Sequence, residues 1–152
     1  MGGNPDEAYE GAWVDGTHHF ALRVYYEDTD LSGIVYYANY LKFIERARSD
    51  MLRAAGIDQR AALEAGEGFF VVADAHIKYR QPAKLDDALV ILSEVREVRA
   101  TSCVIHQRVM RAGEILAEAT IRAAFLSAEG RPRRQPRSWL ATFERLKKKG
   151  TR

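Results

Sequence analysis

Three runs decide what the second half of this chain can become. Ala88–Val98, Ser102–Arg111 and Glu114–Leu126 are all strand-like, and only "RAT" and "AG" stand between them. Links of three and two residues suit hairpins and not helical crossovers, so the three runs are expected to pair antiparallel. A fourth run, residues 69 to 80, alternates with Phe69, Val71, Ala73, Ala75, Ile77 and Tyr79 on one face and Asp74, His76, Lys78 and Arg80 on the other. It breaks at "RQPAKLDD", because proline cannot donate to a sheet ladder. A fifth begins at Phe20, with Phe20, Leu22, Val24 and Tyr26 on one face and Arg23 and Tyr25 on the other.

Between the fifth run and the fourth the period changes. From about Ala38 to Ala55, Tyr40, Ile44, Ala47 and Met51 recur at three- and four-residue steps, with Leu41 and Leu52 widening the stripe. Lys42, Glu45, Arg46, Ser49, Asp50 and Arg53 fill much of the remainder, and Gly56 is placed to stop the helix. Ala117, Ala119, Ala123 and Ala124 would let this helix approach the sheet closely. A shorter helix is expected after "RPRRQP", where Trp139, Leu140, Phe143 and Leu146 keep helical spacing. The order predicts an α+β fold, one antiparallel sheet of about five strands over one long helix.

The 152 residues fit one domain, and a 47% hydrophobic, 29% charged composition excludes a disordered chain. We expect a flexible leader over residues 1 to 17, a folded domain over 18 to 130 and a basic segment over 131 to 152. From Arg131 onward nine Lys or Arg face one acid, Glu144, leaving 14 basic and 20 acidic residues ahead of them. Such a tail suits a phosphorylated ligand, an anionic membrane surface or nucleic acid, or is simply solvated. No apolar run approaches the roughly 18 residues of a membrane span. There is no secretory signal pattern, and the single cysteine, Cys103, forbids an internal disulfide. A cytoplasmic protein is the expectation.

Several chemistries lack their residues. There is no CxxC, HExxH or Gly-rich phosphate loop, and His18, His19, His76 and His106 lack metal-ligand spacing, so no metal site is expected. His18 and His19 read as leader residues, His76 and His106 as polar strand residues, and Cys103 as a small core residue. The stretch "YYEDTDLSGIVYYANYLKFIERAR" is the remaining candidate. Free N–H groups at a helix start favour a nearby carboxylate and can hold a developing oxyanion, and Gly33 would give a substrate access to the backbone. Asp-x-Asp before Ser-Gly is equally ordinary turn and capping chemistry. Spacing alone leaves both readings open.

Taken whole, "VYYEDTDLSGIVYYANYLKFIERAR" resembles the signature of hot dog fold acyl-CoA thioesterases of the 4-hydroxybenzoyl-CoA thioesterase superfamily, in particular the branch associated with the Tol-Pal cell-envelope system. "IKYRQPAKLDDALVI" extends the resemblance, which covers roughly residues 20 to 127. It implies a sheet wrapped around a long central helix, with sheets paired in a homodimer that assembles into a homotetramer. It implies hydrolysis of acyl-CoA to free acid and CoA, with no cofactor, CoA being part of the substrate.

The resemblance makes Asp30 the catalytic carboxylate, as nucleophile or as general base on water. Asp28 is then a turn former, while Asp30 faces the free N–H groups of the helix. The same resemblance gives the backbone N–H of Tyr37 the thioester carbonyl and sets Gly33 and Tyr36 beside the substrate. Arg96 and Arg99 would reach the nucleotide phosphates, with Arg131, Arg133 and Arg134 as further candidates. Many Tol-Pal relatives carry His where this chain has Tyr37, so the side chain there is read as shaping the acyl pocket. A non-catalytic adaptor binding acyl groups or acyl carrier protein is the alternative from another class, with the basic tail meeting acidic partners. A hot dog dehydratase would be expected to use a His that the turn lacks.

Overall fold

The computed structural model describes residues 3 to 147, so Lys148, Lys149 and Arg152 of the basic segment and the first two residues of the leader lie outside the described residues. Six strands form one antiparallel sheet: β1 (Ala12–Val14), β2 (Thr17–Arg23), β3 (Phe69–Tyr79), β4 (Ala88–Val98), β5 (Ser102–Arg111) and β6 (Glu114–Leu126). Their spatial order is β1-β2-β4-β5-β6-β3. The three runs of the second half keep the expected bounds and pair in sequence, with Val98 opposite Cys103 and Arg111 opposite Glu114. Ala112 and Gly113, at φ +48° and +83°, make the two-residue turn whose twist matches the strands it joins.

The sheet has six strands and not about five, because the expected leader is partly structured. Asp15 and Gly16 take φ +50° and +79° and fold residues 12 to 23 into the β1–β2 hairpin. The first strand also starts and ends earlier than expected. Val24 leaves the ladder, and Tyr26 begins a 3-10 turn, Tyr26–Asp28, with its ring exposed.

Helix α1 (Asn39–Ala54) crosses one face of the sheet and stops at Gly56, whose φ is +83°. Tyr40, Ile44, Ala47 and Met51 are buried as their spacing required, joined by Phe43. Leu41 departs from the expected stripe: it is 45% exposed, while Leu52 is buried. The front half of α1 packs on Leu89, Ile91, Val109, Ala117, Ala119 and Ile121. Its back half packs with Val95, Ile105, Phe125, Trp139 and Phe143, the last two from α3 (Arg137–Leu146). Short α2 (Gln59–Glu64) was not expected, although Asp58 caps it by accepting the Ala61 N–H at 2.9 Å.

Within β3 the register against β6 shifts between Val72 and Asp74. An extra residue in a strand reverses the facing of all that follow. Phe70 therefore packs on Phe125, Trp139 and Phe143, where even alternation had placed Phe69 inward, and Ile77 packs on the front cluster. Replacing Phe125, 1% exposed, by Ala should cost about 3–5 kcal/mol, read as a lowered denaturant midpoint at unchanged m-value. A cost below about 1 kcal/mol would mean that the rear cluster contributes little.

Two polar residues that had been assigned to the surface or the leader are in the core. His18 is fully buried on β2, and its Nε2 lies 2.8 Å from Oδ2 of Asp50 on α1, itself 3% exposed. The same Oδ2 accepts the Gly11 N–H at 2.9 Å. Trp13 stacks edge-on against His18 and donates from Nε1 to Met51 O at 3.2 Å. His76 is exposed, as its position on the polar face implied, and Cys103 is a buried free thiol pushed up to about 11 by burial. Among the described residues no helix is long and apolar enough to cross a membrane.

Candidate active site

The chain between β2 and α1 is held as a compact turn by its own backbone. Asp28, buried, accepts the Tyr25 N–H at 2.8 Å on Oδ2, and its carbonyl accepts the Tyr36 N–H at 3.0 Å and Asn39 Nδ2 at 2.9 Å. Asp30 closes the tip: its N–H donates to Ile34 O at 2.9 Å, and its carbonyl accepts from Gly33 N at 3.1 Å. Gly33 takes φ +80° with open space around its Cβ position, so glycine is favoured there by dihedral and leaves the tip uncovered. The tip docks on residues 82 to 87 through Val35 N to Ala83 O at 2.8 Å and Leu85 N to Gly33 O at 3.3 Å. The two stretches that carried the family resemblance therefore meet in space.

The Asp30 side chain is exposed, and Oδ1 accepts both the Ser32 N–H at 2.8 Å and the Ser32 hydroxyl at 2.5 Å. These bonds, the hydroxyl first, hold its carboxyl below the ordinary aspartate value. The expectation that Asp28 forms the turn while Asp30 looks at the helix separates differently here. Both aspartates build the turn, and it is the Asp28 carbonyl that meets Asn39 at the start of α1.

Just beyond the tip, the Asn39 N–H donates to Tyr36 O at 2.8 Å, fixing the peptide that carries the Tyr37 N–H. That N–H has no acceptor among the described residues, and it lies at the positive end of a 16-residue helix. Its surroundings are aromatic. The Tyr37 ring lies 4.9 Å from Tyr36 and 6.1 Å from Tyr79, and Tyr79 donates from its hydroxyl to Tyr37 O at 3.2 Å. Tyr37, Tyr40, Tyr79, Ile34 and Val35 line a cleft of about 240 Å³ with Arg80 among its residues. The Tyr37 charge raises the Tyr36 phenol and burial raises Tyr40 and Tyr79, so these three stay protonated near neutral pH. Tyr40 and Tyr79 escaped the sequence reading as site residues, since only the fold brings the end of β3 against the start of α1.

Arg96 and Arg99 are not brought to this turn. Ala88 opens β4 beside it, and eight residues at about 3.3 Å each put Arg96 roughly 26 Å along the strand. Arg96 donates to Glu94 Oε1 at 3.1 and 2.9 Å, and Arg99 donates to Glu97 Oε1 at 2.8 Å. Of the tail arginines, Arg133 donates to Gly66 O at 3.1 Å, and all three of Arg131, Arg133 and Arg134 are exposed.

A charged carboxylate, an uncommitted N–H and an aromatic cleft within one turn suit attack on an activated carbonyl. Comparison with known proteins points the same way. The model of the Thioesterase-like superfamily matches residues 24–145. The chain is 41% identical over 135 residues to the acyl-CoA thioesterase YbgC of Haemophilus influenzae, covering 88% of this chain and 99% of that one. Against the acyl-CoA thioester hydrolase YbgC of Escherichia coli O157:H7 it is 42% identical over 125 residues, 81% of this chain and 92% of that one. The crystal structure of a probable thioesterase from Bartonella henselae superposes with a TM-score of 0.75 at 36% identity, covering 79% of this chain and 99% of that one.

Proposed function

Since the chain belongs to the Thioesterase-like superfamily, has the hot dog fold and is a thioester hydrolase, we propose that it cleaves acyl-CoA to free acid and CoA through Asp30 and Tyr37. One observation carries the assignment: the uncommitted Tyr37 N–H at the start of α1, in the same turn as a carboxylate kept ionised by Ser32. The thioester carbonyl accepts from that N–H. Asp30 either takes a proton from the attacking water or attacks the carbonyl carbon itself; charge gathers on the oxygen facing Tyr37, CoA leaves as a thiolate, and in the second route water then hydrolyses the acyl anhydride on Asp30 to release the acid and restore the carboxylate. A thioester needs little more, because its sulfur conjugates poorly with the carbonyl and departs as a weak base. Gly33 leaves the approach open, and Tyr36 flanks it.

In this reading no cofactor or metal takes part, CoA enters with the substrate, and the protein works in the cytoplasm. Arg96 and Arg99, remote from the turn in one chain, would meet the nucleotide of a CoA bound at a neighbouring subunit. We propose a homodimer assembling into a homotetramer. In support, β3 is an edge strand with Val72 exposed, and Leu31, Tyr37, Leu41 and Tyr79 leave apolar surface beside the site.

Thiol release measured over short, long and aromatic acyl-CoA substrates tests the activity, with chelator added in a parallel series. Hydrolysis of at least one class, indifferent to chelator, is the expected result; no release from any of them removes the proposal. The exposed run Arg131, Arg133 and Arg134 favours a second reading, a binding adaptor for acyl groups or acyl carrier protein in the cell-envelope system. Capture of acyl carrier protein that is lost when these arginines are neutralised, with no hydrolysis, would select it.

A further inference from the structure

The direction of the Tyr37 N–H is set by its own peptide group. In a planar trans peptide the carbonyl oxygen and the N–H face opposite ways, so whatever grips Tyr36 O also aims the Tyr37 N–H. That grip is the Asn39 N–H at 2.8 Å. Asn39 is in turn tied to the aspartate turn, because its Nδ2 donates to Asp28 O at 2.9 Å across eleven residues of chain. The same Asp28 carbonyl accepts the Tyr36 N–H at 3.0 Å, so one oxygen holds the chain before and after the Tyr37 N–H. Asp30 follows two residues later in the same turn.

Asn39 leaves a more usual task undone. Asparagine is favoured at helix starts because its side chain can accept the free N–H groups there. Yet the N-cap of α1 is Ala38, which supplies no side-chain bond, and Asn39 opens the helix half-buried with its amide nitrogen turned back toward the loop. Only the nitrogen of that amide can face a carbonyl oxygen, so Asn39 acts here as a donor. The bond serves the turn and not the helix.

We infer that Asn39 is a positioning residue for hydrolysis, its side-chain amide setting the Tyr37 N–H against the Asp30 turn. The inference rests on the reading of Asp30 and Tyr37 given above and adds a residue that touches neither substrate nor reacting atoms. Asn39→Ala should lower kcat about 10–100-fold with KM within about twofold, because the N–H acts most strongly on the charge of the transition state and small displacements weaken it. Asn39→Asp keeps the shape and loses the donor, so it should be at least as slow as Asn39→Ala. Asn39→Ser keeps a donor on a shorter arm and should lie between Asn39→Ala and wild type. A residue that merely filled space would give the reverse order, with Asp tolerated and Ser not. Amide hydrogen exchange supplies a readout without substrate: in Asn39→Ala the Tyr36 amide should exchange at least about tenfold faster, while that of Ala47 in the middle of α1 keeps its wild-type rate. A wild type that hydrolyses no acyl-CoA removes the hydrolytic reading and this role with it. An active wild type with kcat of Asn39→Ala within about twofold, an Asn39→Asp variant at the wild-type rate, or an unchanged Tyr36 amide removes the role alone. Acceleration at Ala47 equal to that at Tyr36 would also overturn it, by making Asn39 a residue of general stability.

Discussion

Asp30→Asn should reduce acyl-CoA turnover by about 10²–10⁴-fold, the range expected when a positioned acid or base is removed. Asn keeps an acceptor for the Ser32 N–H and hydroxyl that now bond Oδ1, so the turn survives and only the charge is lost. The thermal midpoint should therefore stay put, since the side chain is exposed. Near wild-type rates with every acyl-CoA would remove Asp30 from the mechanism. The pH profile gives a second view. Ser32 lowers the Asp30 pKa, so activity that needs the carboxylate persists to lower pH than it would with an ordinary aspartate. Ser32→Ala removes the largest cause of that depression, and the acid limb of kcat/KM should move to higher pH. An unmoved limb would mean that it reports another group.

The largest stability effect outside the aromatic cluster is expected at Asp50. Its Oδ2 is the acceptor for both the Gly11 N–H and His18 Nε2, and Asp50→Ala leaves one buried and one half-buried donor without partners. At about 1–3 kcal/mol for each, the loss should be about 2–6 kcal/mol, a fall in Tm of roughly 5–20 °C. Exchange of the Gly11 amide should accelerate more than exchange in β5. A loss within about 0.5 kcal/mol, as for a surface residue, would contradict the pairing.

The same site gives stability a pH dependence with a definite sign. Burial, opposed by the Asp50 bond, lowers the His18 pKa, and Nδ1 is buried with no partner to receive a proton. The unfolded chain therefore binds a proton more readily than the folded one. Stability from this residue is intact above the ordinary histidine value near 6.5 and declines as pH falls from there through the lower folded value.

What the sequence disclosed, and what it hid, divides by the range of the interactions. The β4–β5–β6 meander was legible to the residue because its pairing is set by links of two and three residues. The β1–β2 hairpin carried an equally local signal, Asp15-Gly16, which was obscured by the glycines and proline around it. His18 could not be read as buried, since its acceptor lies 32 residues away on a helix face that looked polar. The bulge in β3 left no mark on the alternation, yet it decides that Phe70 and not Phe69 joins the rear core. At the site, the turn and its two aspartates were visible. The resemblance named the Tyr37 N–H, but that it is left without an acceptor could not be read, because it depends on which donors Asp28 O and Tyr36 O accept from.

The sheet order also governs when the protein can finish forming. Among the described residues β3 pairs only with β6, so residues 69 to 79 have no ladder until residues 114 to 126 exist. During synthesis α1 and β3 leave the ribosome early, with only the β1–β2 hairpin to cover part of the helix stripe and with the strand unpaired on both sides. They must wait for the β4–β5–β6 meander, which can assemble from local contacts alone, before the strand has a ladder and the helix its main surface. The last strand made is thus the one that completes the sheet beside the first long run, and a chain interrupted before Glu114 would carry its stickiest segments exposed.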